Sequence, residues 1–175
     1  MRFKQGILIV IGFSLLSFGL PKNLEKKVNK EITDTFEIEN FDLTSVTIPS
    51  DIEKTLPSRF GEDNLFKIES NKKFVAYAYI SQAASKTALF DYLVLLDSDL
   101  VVIKTKVLIY RENYGGEISS KRWLSQFIES PEDDSFVYGD NISAISGATI
   151  SVKSITESIN EVMVSLKRLE SEKQI

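Results

Sequence analysis

The feature that most constrains this chain is a succession of apolar runs with a period near two in its middle third. Phe74-Val-Ala-Tyr-Ala-Tyr-Ile80 is rich in aromatic and β-branched side chains. Phe90 to Leu96 is almost continuously apolar, as a central strand would be. Leu100 to Tyr110 follows, with Val101, Ile103, Thr105, Val107 and Ile109 expected on one face, and Asp97-Ser-Asp99 as the turn between the two runs. Leu89–Tyr110 therefore reads as a hairpin forming the middle of an antiparallel sheet. Leu65, Phe66 and Ile68 predict another strand ahead of it.

Beyond Tyr110 the period becomes helical. Ser119 is expected to cap a helix with Trp123, Leu124, Phe127 and Ile128 on one face, and Ile118 and Trp123 are spaced as a hydrophobic staple. Pro131–Asp134 reads as a loop and Phe136–Tyr138 as a short strand. The last helix, from about Ile150 to about Leu169, carries an apolar stripe at Val152, Ile155, Ile159, Val162, Leu166 and Leu169. Strands followed by segregated helices give an α+β fold, an antiparallel sheet with flanking helices and a C-terminal helix.

The N-terminus has the layout of an export signal. Arg2 and Lys4 precede a mostly apolar stretch, Gly6 to Leu20, and Ser17-Phe18-Gly19 places small residues where a leader is cut. The stretch is short against the roughly 20 apolar residues of a spanning helix. Leu20-Pro21 is an imperfect exit from a cleavage site, so an uncleaved anchor is the alternative. Either way the body of the protein is expected outside the cytoplasm, with the positive flank inside. The expected divisions are a signal peptide or membrane anchor at 1–20, a spacer and N-terminal helical segment at 21–63, and one domain at 64–170. Within the second, Leu24, Val28 and Ile32 recur every fourth residue, which fits an amphipathic helix; a solvated spacer from the membrane is the other reading. Ser50 to Leu56 is expected to be a helix capped by Ser50 and ended by Pro57.

Composition excludes several chemistries. The 175 residues hold no cysteine and no histidine, which removes thiol catalysis, disulfides, iron–sulfur clusters, histidine triads and histidine-ligated zinc or haem. Redox work would need an organic cofactor. The net charge of −4 becomes −6, 19 basic against 25 acidic residues, once Arg2 and Lys4 leave with residues 1–19. That balance argues against nucleic-acid binding.

Chemistry concentrates in Ser143-Ala-Ile-Ser146-Gly147-Ala148-Thr149-Ile-Ser151, a loop of small and hydroxyl residues entering the last helix. A helix N-terminus offers free N–H groups and a partial positive charge, which favour phosphate. Gly147 allows close backbone approach, Ser146, Thr149 and Ser151 offer hydroxyls, and Lys153 lies one turn inside. The plain alternative is that these hydroxyls simply cap the helix.

Ser146-Gly-Ala-Thr149-Ile-Ser151 resembles the flavinylation motif of the FMN-binding domain family, which includes small extracytoplasmic subunits of the sodium-pumping NADH:quinone reductase and of Rnf-type electron transport complexes. The resemblance extends over residues 65–169, and Tyr114-Gly115-Gly116-Glu117-Ile118 is similar to the family's glycine turn upstream of the motif. It implies FMN as cofactor, bound by Thr149, Ser146, Gly147, Ala148, Ser151, Tyr114, Gly115 and Gly116. It also implies a phosphoester from Thr149 to FMN, made outside the cytoplasm by a flavin transferase. One departure stands out. The family usually has an acid six positions before the threonine, where this chain has Ser143, with Asp140 three residues further upstream as the substitute.

The remaining candidates have structural readings. Tyr114, Trp123 and Tyr138 are rings able to stack on a flavin, with Trp123 read first as core. Tyr77 and Tyr79 read as packing on one sheet face, and Asp97 and Asp99 as turn residues. No dinucleotide fingerprint supports a flavin reductase using NADH. The expected function is extracytoplasmic electron transfer on FMN with membrane or periplasmic redox partners, and membrane contact through the N-terminus if it is uncleaved. The alternative is a non-redox scaffold of a membrane complex.

Overall fold

The computed structural model describes residues 19–61, 63–128 and 135–175; residues 1–18 of the expected leader and the Pro131–Asp134 loop lie outside them. Five strands, β1 (Asp42–Ser45), β2 (Leu65–Ser70), β3 (Lys73–Ala84), β4 (Leu89–Leu96) and β5 (Val102–Ile109), form one sheet in the order β1-β2-β3-β4-β5. Every neighbouring pair is antiparallel. Asn71 and Lys72 connect β2 to β3 with φ of 53° and 62°, the two left-handed residues of a tight hairpin turn. Asp97 closes the β4–β5 turn: its Oδ1 accepts from the N–H groups of Asp99 and Val101, both at 2.9 Å.

The pleat sorts the side chains into two cores. Tyr77, Tyr79, Tyr92, Val94 and Leu96 face the long helix α4 (Thr149–Ser171). Ala76, Ala78, Ile80, Leu93 and Leu95 face α1 (Lys22–Phe36). The continuous apolar run of β4 follows from its burial on both faces. Val152, Ile155, Ile159, Val162, Leu166 and Leu169 of α4 are fully buried, and each such side chain is worth roughly 1.5–3 kcal/mol. On the other face α1 buries Leu24, Val28 and Ile32, and its Glu31 pairs with Lys104 at 2.8 Å and Lys106 at 3.0 Å on β5. Residues 21–63 thus supply a covering helix and an edge strand to the same sheet. Asp91, buried on β4, accepts from Arg111 at 2.6 Å and Gln82 at 2.7 Å, so its charge is compensated.

Local departures from the sequence reading have physical causes. β5 is an edge of the sheet, not part of its middle. Two register shifts, opposite Asp91/Tyr92 and Leu95/Leu96, break its alternation. Val107 and Thr105 therefore pair with Tyr92 and Val94 on the α4 face, while Ile103 and Ile109 pack with the α1 core. Ser50 is the first residue of the short helix α2 (Ser50–Glu53), not its cap, because Pro49 takes the cap position; the helix ends well before Pro57. The helix expected after Ser119 is a single turn, α3 (Lys121–Leu124), between two 3-10 turns at Gly116–Ser119 and Ser125–Phe127. Ser120, not Ser119, caps it. Trp123, Leu124 and Phe127 are buried as the pattern required. Phe136–Tyr138 forms no strand, only a single bridge from Tyr138 to Ile142. Among the described residues no helix is long and apolar enough to cross a membrane.

Candidate functional site

The site is built where α4 begins. The cap position falls on Ala148, φ −128°, and no side chain caps the helix. The first helical bond runs from Val152 N to Ala148 O at 2.9 Å, so the N–H groups of Thr149, Ile150 and Ser151 precede the helical ladder. Hydroxyls stand on both sides of this position, yet none takes the capping role. Thr149 is the first helical residue, and its side chain is exposed.

Two glycine turns meet behind it. Gly147 has φ +76° and Gly115 has φ +70°, a region that suits glycine. A Cβ on Gly115 would lie 2.4 Å from Ala148 Cβ, which shows how closely the turn is seated on the motif. Gly147 in turn faces Tyr114, whose Cβ lies 3.7 Å from where a Cβ would stand. The backbone before the motif is held by the α3 region. Trp123 Nε1 donates to Ser143 O at 2.9 Å, and Ser143 N donates to Gln126 Oε1 at 2.8 Å.

In front of these turns lies a cleft of about 270 Å³. Gly147, Ala148, Thr149, Ile150 and Ser151 form one side, and Tyr110, Glu112, Tyr114 and Lys86 the other. Tyr114 is 78% exposed, so its ring is free to lie against a ligand. Ser151 is buried, and its Oγ lies 3.0 Å from Tyr110 Oη in a hydrogen bond that fixes both. Glu112 is engaged by the β3–β4 turn: its carboxylate accepts from Ser85 Oγ and Thr87 N, both at 2.6 Å. The Ser85 hydroxyl and then the Thr87 N–H hold its carboxyl below the ordinary value, because both donate to the charged form.

Of the residues singled out in the sequence, Tyr114, Gly147, Ala148, Thr149 and Ser151 come together along this cleft. Gly115 packs behind it, while Ser146 and Gly116 are exposed and do not line it. Lys153 does not add charge here; its Nζ sits over the Tyr138 ring, 5.0 Å from the centroid, and neither residue lines the cleft. Trp123 belongs to the core, edge-on to Phe127 at 5.4 Å. Asp140 lies in the turn after Val137 and is not among the lining residues. Lys86, Tyr110 and Glu112 are additions. Tyr110, Glu112 and Tyr114 continue the period of two past β5, a signal present in the sequence. Lys86 arrives by the long-range pairing of β3 with β4, which no local pattern records.

An α+β fold whose long helix opens, uncapped, into a hydroxyl-bearing cleft is built to receive an anion. Residues 90–164 match the family model of the FMN-binding domain. The chain carries a domain of the FMN-binding family over that segment, and FMN is its cofactor. The matched stretch runs from β4 through the glycine turn and the motif into α4, and leaves Lys86 outside. No curated protein matches the chain. The residues fit the cofactor: the open helix turn suits a phosphate, and the two glycine turns leave bare backbone beside Thr149. Among the described residues no cluster suited to a metal ion occurs.

Proposed function

We propose that this protein is an extracytoplasmic electron carrier whose FMN is joined through its phosphate to Thr149. The observation that carries the reading is the placement of Thr149, exposed at the uncapped first turn of α4 and inside the cleft of the FMN-binding domain. When bound, FMN supplies one- and two-electron redox chemistry. The chain does the rest. The N–H groups of the first turn donate to the phosphate oxygens and stabilise their negative charge, and Thr149 Oγ1 provides the oxygen of the ester. Gly147 leaves bare backbone beside the tether, Gly115 lets the upstream turn seat against Ala148, and Tyr114 offers a ring face. Thr149 and Tyr114 are both exposed at the cleft, which favours a flavin open to a partner.

A covalent tether suits a location outside the cytoplasm, where a dissociated cofactor is not easily replaced. The export-like N-terminus supports that location. Maturation would require a flavin transferase, and the electron donors and acceptors would be membrane or periplasmic redox proteins. The family match favours this reading over the non-redox scaffold. The test is mass spectrometry of protein exported from its native host. FMN less one water on the peptide containing Thr149 is expected; a colourless protein with an unmodified peptide would overturn the proposal.

A further inference from the structure

We infer that Lys86, at the β3–β4 turn, is the cation that faces the flavin and favours its reduced form, and that Glu112 positions it. The inference rests on the flavin reading of the cleft, and deepens it by naming what sets the electrostatics there.

Lys86 lines the same cleft as Thr149 although it precedes the motif by a long stretch of chain and lies outside the matched family segment. Its side chain is exposed, and among the described residues it forms no salt bridge, unlike Lys104 and Lys106, which share Glu31. Glu112 is a carboxylate in the same cleft wall that keeps its own negative charge but makes no salt bridge with Lys86. That carboxylate is occupied by the residues on either side of Lys86: Ser85 Oγ and Thr87 N at 2.6 Å, and Thr87 Oγ1 at 3.0 Å. The turn is closed further by Ser85 N donating to Ala88 O at 2.8 Å. Its base is fastened to the helix that carries Thr149, since Ser154 Oγ donates to Ala84 O. The turn is therefore pinned on both flanks, and only the Lys86 side chain is left to reach into the cleft.

Reduction adds electrons to the flavin and raises the negative charge in the cleft. A cation on the cleft wall stabilises that charge more than it stabilises the oxidised ring, and a site partly shielded from water strengthens the effect. Lys86 thus raises the midpoint potential, and Glu112 acts by holding the turn.

The experiment is a spectroelectrochemical titration of the flavin-loaded protein at neutral pH, after flavin content has been confirmed by mass. Lys86→Ala is expected to shift the potential to more negative values, Lys86→Glu further in the same direction, and Lys86→Arg to keep it near the wild-type value. In a Glu112→Gln background the shift caused by Lys86→Ala should shrink, because the turn no longer fixes the lysine. Lys86→Glu at the wild-type potential with flavin retained would overturn the inference and leave the flavin reading intact. Lys86→Arg shifted as far as Lys86→Ala would also overturn it, tracing the effect to loop rearrangement. A full-size shift in the Glu112→Gln background would remove Glu112 from its positioning role. A wild-type protein without flavin would bring down both this inference and the reading beneath it.

Discussion

Two helices of this protein begin in serine-bearing sequence and begin differently. At α3, Ser120 takes the cap position and its Oγ accepts from Trp123 N at 3.3 Å. At α4, Ser146, Thr149 and Ser151 surround the start, yet the cap position belongs to Ala148 and no side chain fills it. Alanine is among the poorest caps and serine among the best. The first helix uses its hydroxyl to hold the chain. The second leaves its N–H groups unclaimed by any side chain, in a cleft of an FMN-binding domain. A row of serines and threonines before a helix therefore says little about capping until the cap position is known. Here it separates a structural start from one arranged for a ligand.

The comparison can be broken at several points. The largest effect is expected from Gly115→Ala. The added methyl would press on Ala148 from a left-handed backbone position, and overpacking of this kind costs about 1–3 kcal/mol. Chemical unfolding of the flavin-free protein should show the loss, and flavin content should fall with it. An unchanged stability would mean that the two glycine turns are not in fact seated on each other. Next comes Ser120→Ala, which removes the working cap and should destabilise by about 1 kcal/mol. Ser146→Ala removes a hydroxyl that caps nothing, so its stability should stay within about 0.5 kcal/mol of the parent. Equal losses from the two substitutions would erase the distinction between the helix starts.

A pH series sharpens the same point at the cleft wall. Glu112 has a depressed folded-state pKa, so its contribution to stability is present above the ordinary carboxylate value. It is lost as pH falls through the folded value. Unfolding of Glu112→Gln followed against pH should lack that part of the acid-side slope. Coincident slopes for mutant and parent would show that the Ser85–Thr87 clamp does not form.

Much of the architecture was legible because burial writes a period into the chain. The six apolar positions of α4 are all fully buried, and the unbroken run of β4 marks a strand covered on both faces. β1 left almost no trace, since Leu43 is its only core residue and pairing with β2 defines the strand. The bulges of β5 were invisible because an extra residue shifts the face without changing the composition. Ser119 and Ser120 are adjacent serines, and the 3-10 turn after Gly115 decides between them. At the site, the Gly-Ala-Thr hexamer and the upstream glycine pair stood out as small residues, and the structure seats the two turns against each other. Lys86 could not be read, because it reaches the cleft only through the register of β3 with β4.

The central claim is that Thr149 carries FMN by a phosphoester. The most direct measurement is the intact mass of denatured protein from a host with flavin transferase, with peptide mapping across residues 143–153, for the wild type and for Thr149→Val. The account predicts an added mass of FMN less one water on the wild-type peptide. It predicts none in the variant, which should fold as before because the Thr149 side chain is exposed. An unmodified peptide from a yellow wild-type sample, or an added mass that survives Thr149→Val, would contradict it.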